Sequence, residues 1–198
     1  MKQRTLLFLM LVALGLLPAI DSAVGLAEPE AGPDQPVKEA DTPEAYAGQM
    51  PDNDQLEVLA EHKVIAAFDG QAFHRCLGRT GLCPDRCGHS GDFANFEITD
   101  YLHYKKPGKY GDKQQETYRV QTTDFNREPT GDPALFAYVE TLEKGDLVLI
   151  EWKHLYGEVR PGVKSPVRPL LLLKKIDEAE AKQLKEQAEA EREKEQGE

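Results

Sequence analysis

The stretch from Asp132 to Tyr156, DPALFAYVETLEKGDLVLIEWKHLY, reads as a capped helix followed at once by a strand. Asp132 offers the short acceptor side chain of an N-cap, and Pro133 suits the first helical position, where no amide donor is needed. Leu135, Phe136, Val139 and Leu142 recur at helical spacing, which makes a stripe that must pack on something. Gly145 suits the position after the helix end. Leu147 to Tyr156 is then strand-like: Val148 and Ile150 precede Trp152, which is expected in the core, with His154 and Tyr156 further along the same face.

Working outward, a loop with Gly157, Pro161, Gly162 and Pro166 leads to a further strand over Val167 to Ile176. Upstream lie three more segments. Lys63 to Phe68 is the first, continuing through a bend at Gly70 to His74. Phe93 to Tyr104 is the second, with Phe96, Ile98 and Leu102 expected on one side and Asn95, Glu97, Thr99 and His103 on the other, and Asp100 as a slip in the alternation. After a turn containing Pro107, Gly108 and Gly111 comes the third, Glu116 to Thr122. The order is three strands, one helix, two strands.

With its Lys144-Gly145-Asp146 lead into a strand, this order over roughly residues 60 to 176 resembles the OB-fold. The resemblance implies a mainly β chain, a five-stranded Greek-key barrel with one helix between strands three and four. Another small antiparallel barrel or sandwich with one helix fits the same elements. Fold alone would not give function in either case.

The flanks differ in texture. Lys2 and Arg4 precede an apolar run from Leu6 to Ile20, and Gly25 and Ala27 place small side chains before a cut after Ala27, so residues 1–27 read as a secretory signal peptide. An uncleaved anchor competes with that reading, but the run is short for a span and contains Pro18. Export to a periplasmic or extracellular, oxidising compartment is the expectation. Residues 28–60 read as a flexible acidic leader, 61–176 as the β domain and 177–198 as a charged helical tail without an apolar stripe, expected to be a solvated extension. The net charge of -11 is unevenly spread: residues 28–62 hold ten acids and one base, residues 174–198 nine and six, and residues 63–173 fifteen of each. The β domain is therefore neutral and leaves room for local patches.

The densest chemistry is HRCLGRTGLCPDRCGH, His74 to His89, which holds all three cysteines. Cys76, Cys83 and Cys87 with His74 or His89 supply the ligand types of a closed tetrahedral zinc site. Three residues separate Cys83 from Cys87, one more than in a zinc knuckle. An oxidising compartment equally favours one disulfide, with no metal and a spare thiol. A reactive thiol beside a histidine is the third possibility.

A binding face is expected where the resemblance puts ligands, across strands two and three and the loops beside them. Tyr101, His103, Lys105, Lys106, Lys109, Tyr110 and Lys113 interleave cations with aromatic rings there, and His154 and Tyr156 reach the rim. A solvated hairpin tip with edge-protecting lysines would carry the same residue types. There is no glycine-rich phosphate loop, serine nucleophile elbow or zinc-protease helix. The sequence thus points to an exported, non-enzymatic binding module for an anionic ligand, polymer or envelope component. A thiol or metal enzyme using the cysteine loop and a structural envelope protein are the alternatives.

Overall fold

The computed structural model describes residues 43–51, 56–78 and 88–196, all within one unit, Glu39–Glu198. The expected signal at 1–27, residues 28–42 and 52–55 of the leader, and Cys83 and Cys87 lie outside the described residues. The elements are β1 (Ala45–Ala47), β2 (Glu57–His74), β3 (Gly91–Lys105), β4 (Thr117–Gln121), α1 (Pro133–Val139), β5 (Leu147–Arg160), β6 (Val163–Val167), β7 (Leu170–Lys175) and α2 (Glu178–Gln196). The chain is mainly β. Its strands make one antiparallel sheet in the order β1-β7-β5-β2-β3-β4, with β6 paired to β5. The five expected strands are β2, β3, β4, β5 and β7, and α1 falls between the third and fourth.

No ladder joins the β1 and β4 edges among the described residues, so the sheet is open where a closed five-stranded barrel was expected. It is nevertheless strongly curled. Two strands separate β4 from β5, about 14 Å in a flat sheet, yet the rings of Tyr118 and Trp152 lie 4.5 Å apart between centroids. The concave side holds Val64, Phe68, Phe96, Val148, Ile150, Trp152 and Leu173, and α1 covers it with Leu135, Tyr138 and Val139, joined by Leu142 from the turn after the helix. Each such aliphatic or aromatic side chain contributes roughly 1.5–3 kcal/mol when buried.

Local chemistry accounts for the departures from expectation. Ala45–Ala47, inside the expected flexible leader, adds an edge strand to β7. The buried Tyr46 ring and the Gly48 amide, which donates to the Leu171 carbonyl at 2.9 Å, hold it there. The domain also begins earlier than expected, because β2 starts at Glu57. The expected loop between the last two strands is largely the β5–β6 hairpin, turned at Pro161-Gly162 with Gly162 at φ +75°. Asp132 caps α1 through its side chain, as expected, accepting from the Ala134 amide at 2.9 Å. The helix ends at Glu140 rather than near Gly145. Gly145, at φ +98°, instead sits in the turn before β5 and donates to the Phe68 carbonyl. Tyr138 is buried while Phe136 is only half-buried. The Tyr138 hydroxyl accepts from the Lys175 amide at 2.7 Å and donates to the Glu44 carbonyl at 3.3 Å.

Of the three register shifts between β2 and β3, two alter which face β3 presents around Leu102, since Lys63 pairs with His103, Val64 with Tyr101, Ile65 with Asp100 and Ala66 with Ile98. Each skipped residue is a bulge that reverses the alternation. Phe96 and Ile98 therefore stay on the concave side, while Leu102 joins Ile65, Leu149 and Ile176 in a second cluster on the opposite face.

That second cluster is covered by α2, contrary to the expectation of a solvated tail. Ala181, Leu184 and Ala188 recur at helical spacing and pack onto it. Alanines lack bulk but let a helix backbone come close to a sheet. Polar contacts flank the seam: Lys185 to Asp100 at 2.6 Å and Lys174 to Glu180 at 2.6 Å, with the Arg192 guanidinium donating to the Tyr101 carbonyl. Among the described residues no helix is long and apolar enough to cross a membrane. Replacing Ala188 with Glu should strip α2 from the sheet and lower stability by about 2 kcal/mol or more, read as a lower urea midpoint; an unchanged midpoint would show that the helix contributes nothing.

Candidate functional site

The turn between β3 and β4 carries Lys106, Lys109 and Lys113, with Lys105 at the end of β3, and contacts to its backbone hold it to the sheet. Gly111 lies so close to β2 that an added Cβ would sit 2.0 Å from the Leu59 carbonyl oxygen, so no side chain fits there. The Gln115 amide donates to the Tyr101 hydroxyl at 2.7 Å. Asp112 is the hub. Its carbonyl accepts from the Tyr104 hydroxyl at 3.0 Å, its amide lies 3.1 Å from His154 Nδ1, and its carboxylate receives Arg168 Nε at 2.7 Å and Nη2 at 3.0 Å. One residue thereby ties the turn to β3, to β5 and to the segment before β7.

The charges follow from these contacts. The Arg168 hydrogen bonds hold the Asp112 carboxyl below its ordinary value against the opposing effect of burial, and the same pairing raises Arg168. His154 is 5% exposed; burial first, then the Arg168 charge, lowers its pKa, with Asp112 opposing. A neutral ring leaves Nδ1 as an acceptor, so the 3.1 Å contact is the Asp112 amide donating to Nδ1. The 3.2 Å approach of Nδ1 to Asp112 Oδ1 becomes a hydrogen bond only if the ring gains a proton.

Beside this hub lies a cleft of about 670 Å³, lined by Glu57, Leu59, Gly108, Lys109, Tyr110, His154, Tyr156, Pro166 and Arg168. Its volume falls in the range of about 300–1,000 Å³ usual for small-molecule sites. Four of the expected binding residues meet here: Lys109, Tyr110, His154 and Tyr156. Tyr101, His103 and Lys105 line a second, more polar cleft of about 530 Å³ closed by Arg192 of α2. Lys106 is half-buried and Lys113 exposed, and neither lines these clefts. Tyr101 and His154 serve partly as anchors of the turn. Arg168, Asp112 and Glu57 were missed in the sequence, because nothing local marks a loop arginine and a turn aspartate 56 residues apart as partners.

His62 was also missed. It is 2% exposed, and among the described residues neither ring nitrogen has a hydrogen-bond partner. Its ring stacks on Trp152 at 4.3 Å and 7°, with Tyr104 at 5.2 Å and Tyr101 at 6.1 Å. Here the imidazole packs as an aromatic ring.

At the far end of the β2–β3 pair, His74 and Gly91 form the last ladder pair, and the Cys76 amide donates to Ser90 Oγ at 2.9 Å. The two ends of the cysteine loop are thus pinned together. The His74 ring lies edge-on to Phe93 at 5.9 Å, and His89 is exposed. Among the described residues no group of three or more His, Cys, Asp or Glu side chains is arranged to hold a metal. Comparison with family models, curated proteins and solved structures returned no match.

Burial depresses the His62 pKa to about 4 from 6.5, so the unfolded chain binds that proton more readily than the folded one. The stability contributed by the neutral ring is complete above pH 6.5 and is lost as pH falls toward 4, up to about 3 kcal/mol. His154 adds a loss of the same sign. His62→Phe keeps the stack and removes the proton site, so urea unfolding between pH 7 and pH 4 should show a flatter stability profile than the parent protein.

Proposed function

We propose that this chain is an exported, non-enzymatic binding module whose lysine-rich turn and adjoining cleft take an anionic ligand or polymer at the cell envelope. The supporting observation is electrostatic. Arg168 neutralises Asp112, the one acid between Lys105 and Lys113, and none of Lys105, Lys106, Lys109 and Lys113 is in an ion pair among the described residues. Four ammonium groups at an anchored turn, within residues 63–173 where fifteen acids and fifteen bases balance, make a local positive patch. For the fold beneath it we infer an OB-like barrel, partly open as such barrels are. The spatial order β5-β2-β3-β4, with the fourth of the five main strands beside the first, supports a Greek-key reading, and the curl that brings Tyr118 onto Trp152 supports closure. Replacing the four lysines together with alanine should abolish retention on a polycarboxylate column and its steep dependence on salt. Equal retention of the two proteins at matched ionic strength would defeat the reading.

A second reading concerns the cysteine loop and is favoured by its pinned ends. Cys76, Cys83 and Cys87, with His74 or His89, staple the β2–β3 connection through zinc or through one disulfide; in the enzymatic alternative one of the thiols is the nucleophile. Thiol titration with and without reductant, beside metal analysis, separates these outcomes. Three protected thiols with one zinc per chain mark the closed metal site. Two thiols released only by reductant, without zinc, mark the disulfide, and a single hyperreactive thiol supports the enzyme.

A further inference from the structure

Resting on the binding reading above, we propose that the cleft between the turn and the β5–β6 hairpin takes an acidic saccharide, one hexuronate unit of an anionic polysaccharide. Tyr110, on the turn, is 77% exposed and Tyr156, on β5, is 41% exposed, yet both line the same cleft with Leu59 and Pro166. Large rings left in water from two separate elements suit a ligand with an apolar face, and the C–H face of a pyranose is such a surface. Lys109, whose ammonium lies 5.8 Å from the Tyr110 ring centroid, supplies a cation beside that ring for the uronate carboxylate.

The remaining polar groups define the rest of the ligand. Arg168 spends Nε and one Nη2 proton on Asp112, which fixes the guanidinium and leaves its other donors for oxygens in the cleft. Glu57 adds a carboxylate to the same wall, an acceptor that suits sugar hydroxyls and repels densely charged phosphate. A chain of inorganic phosphate satisfies the lysines but has no apolar face for the tyrosines and no hydroxyl for Glu57. One carboxylate per ring, several hydroxyls and an apolar face satisfy all of these groups together.

The test titrates the full mature protein with tetragalacturonic acid, maltotetraose and inorganic polyphosphate, and repeats it with the double variant Tyr110→Ala, Tyr156→Ala. Both rings are solvent-exposed, so the variant keeps its core. The expected result is preference for tetragalacturonate over both other probes, with the tyrosine variant losing about tenfold or more in tetragalacturonate affinity and a smaller factor for polyphosphate. Equal loss for the two anions, no loss on removing the tyrosines, or tighter binding of polyphosphate would overturn the saccharide assignment while leaving the anion-binding reading in place. Failure to bind either anion would overturn both.

Discussion

The long central strand imposes the main constraint on this fold. β2 runs for 18 residues and pairs with β3 on one side and β5 on the other, so its backbone is satisfied by neighbours while its side chains need cover on both faces. Val64, Ala66 and Phe68 look into the concave core under α1, and Ile65 looks the other way toward α2. A sheet with both faces apolar at its centre requires two helices. That is why a helix as polar as α2 is docked: its alanines sit over apolar surface that would otherwise face water.

The same strand brings the site together. Its register sets His62 against Trp152 and Tyr104, and Leu59 provides the backbone on which Gly111 rests. Asp112 then converts a glycine-containing turn into an anchored one, because its amide, carbonyl and carboxylate each find a partner on a different element. A flexible turn with four lysines would lose much of its electrostatic gain to ordering on binding. Here the backbone of the turn is already anchored in the folded chain, and Lys109 is presented in a cleft that Tyr110 and Tyr156 also line.

Much of this was legible residue by residue. The cap at Asp132, the alternation of Val148, Ile150 and Trp152, and the glycine and proline punctuation are local signals, and they located α1 and all five principal strands. Lys109, Tyr110, His154 and Tyr156 were singled out because cations interleaved with rings are visible in one dimension, and the four line one cleft. Leu102 was assigned to the wrong face because a bulge depends on the partner strand's register, which alternation within β3 does not reveal. His62 went unnoticed for a related reason: in sequence an imidazole reads as polar, and only its position opposite Trp152 makes it part of the core.

By itself the amino-acid sequence determined the order and type of the main elements and the residue types available for binding, since caps, periodicity and turn chemistry act over a few residues. Tertiary structure alone decided that β1 and α2 belong to the fold, that Arg168 neutralises Asp112, and that Tyr110 and Tyr156 share one cleft. Those outcomes depend on contacts between segments dozens of residues apart. Backbone register and the competition to cover apolar surface select such contacts, and neither is encoded at any single position.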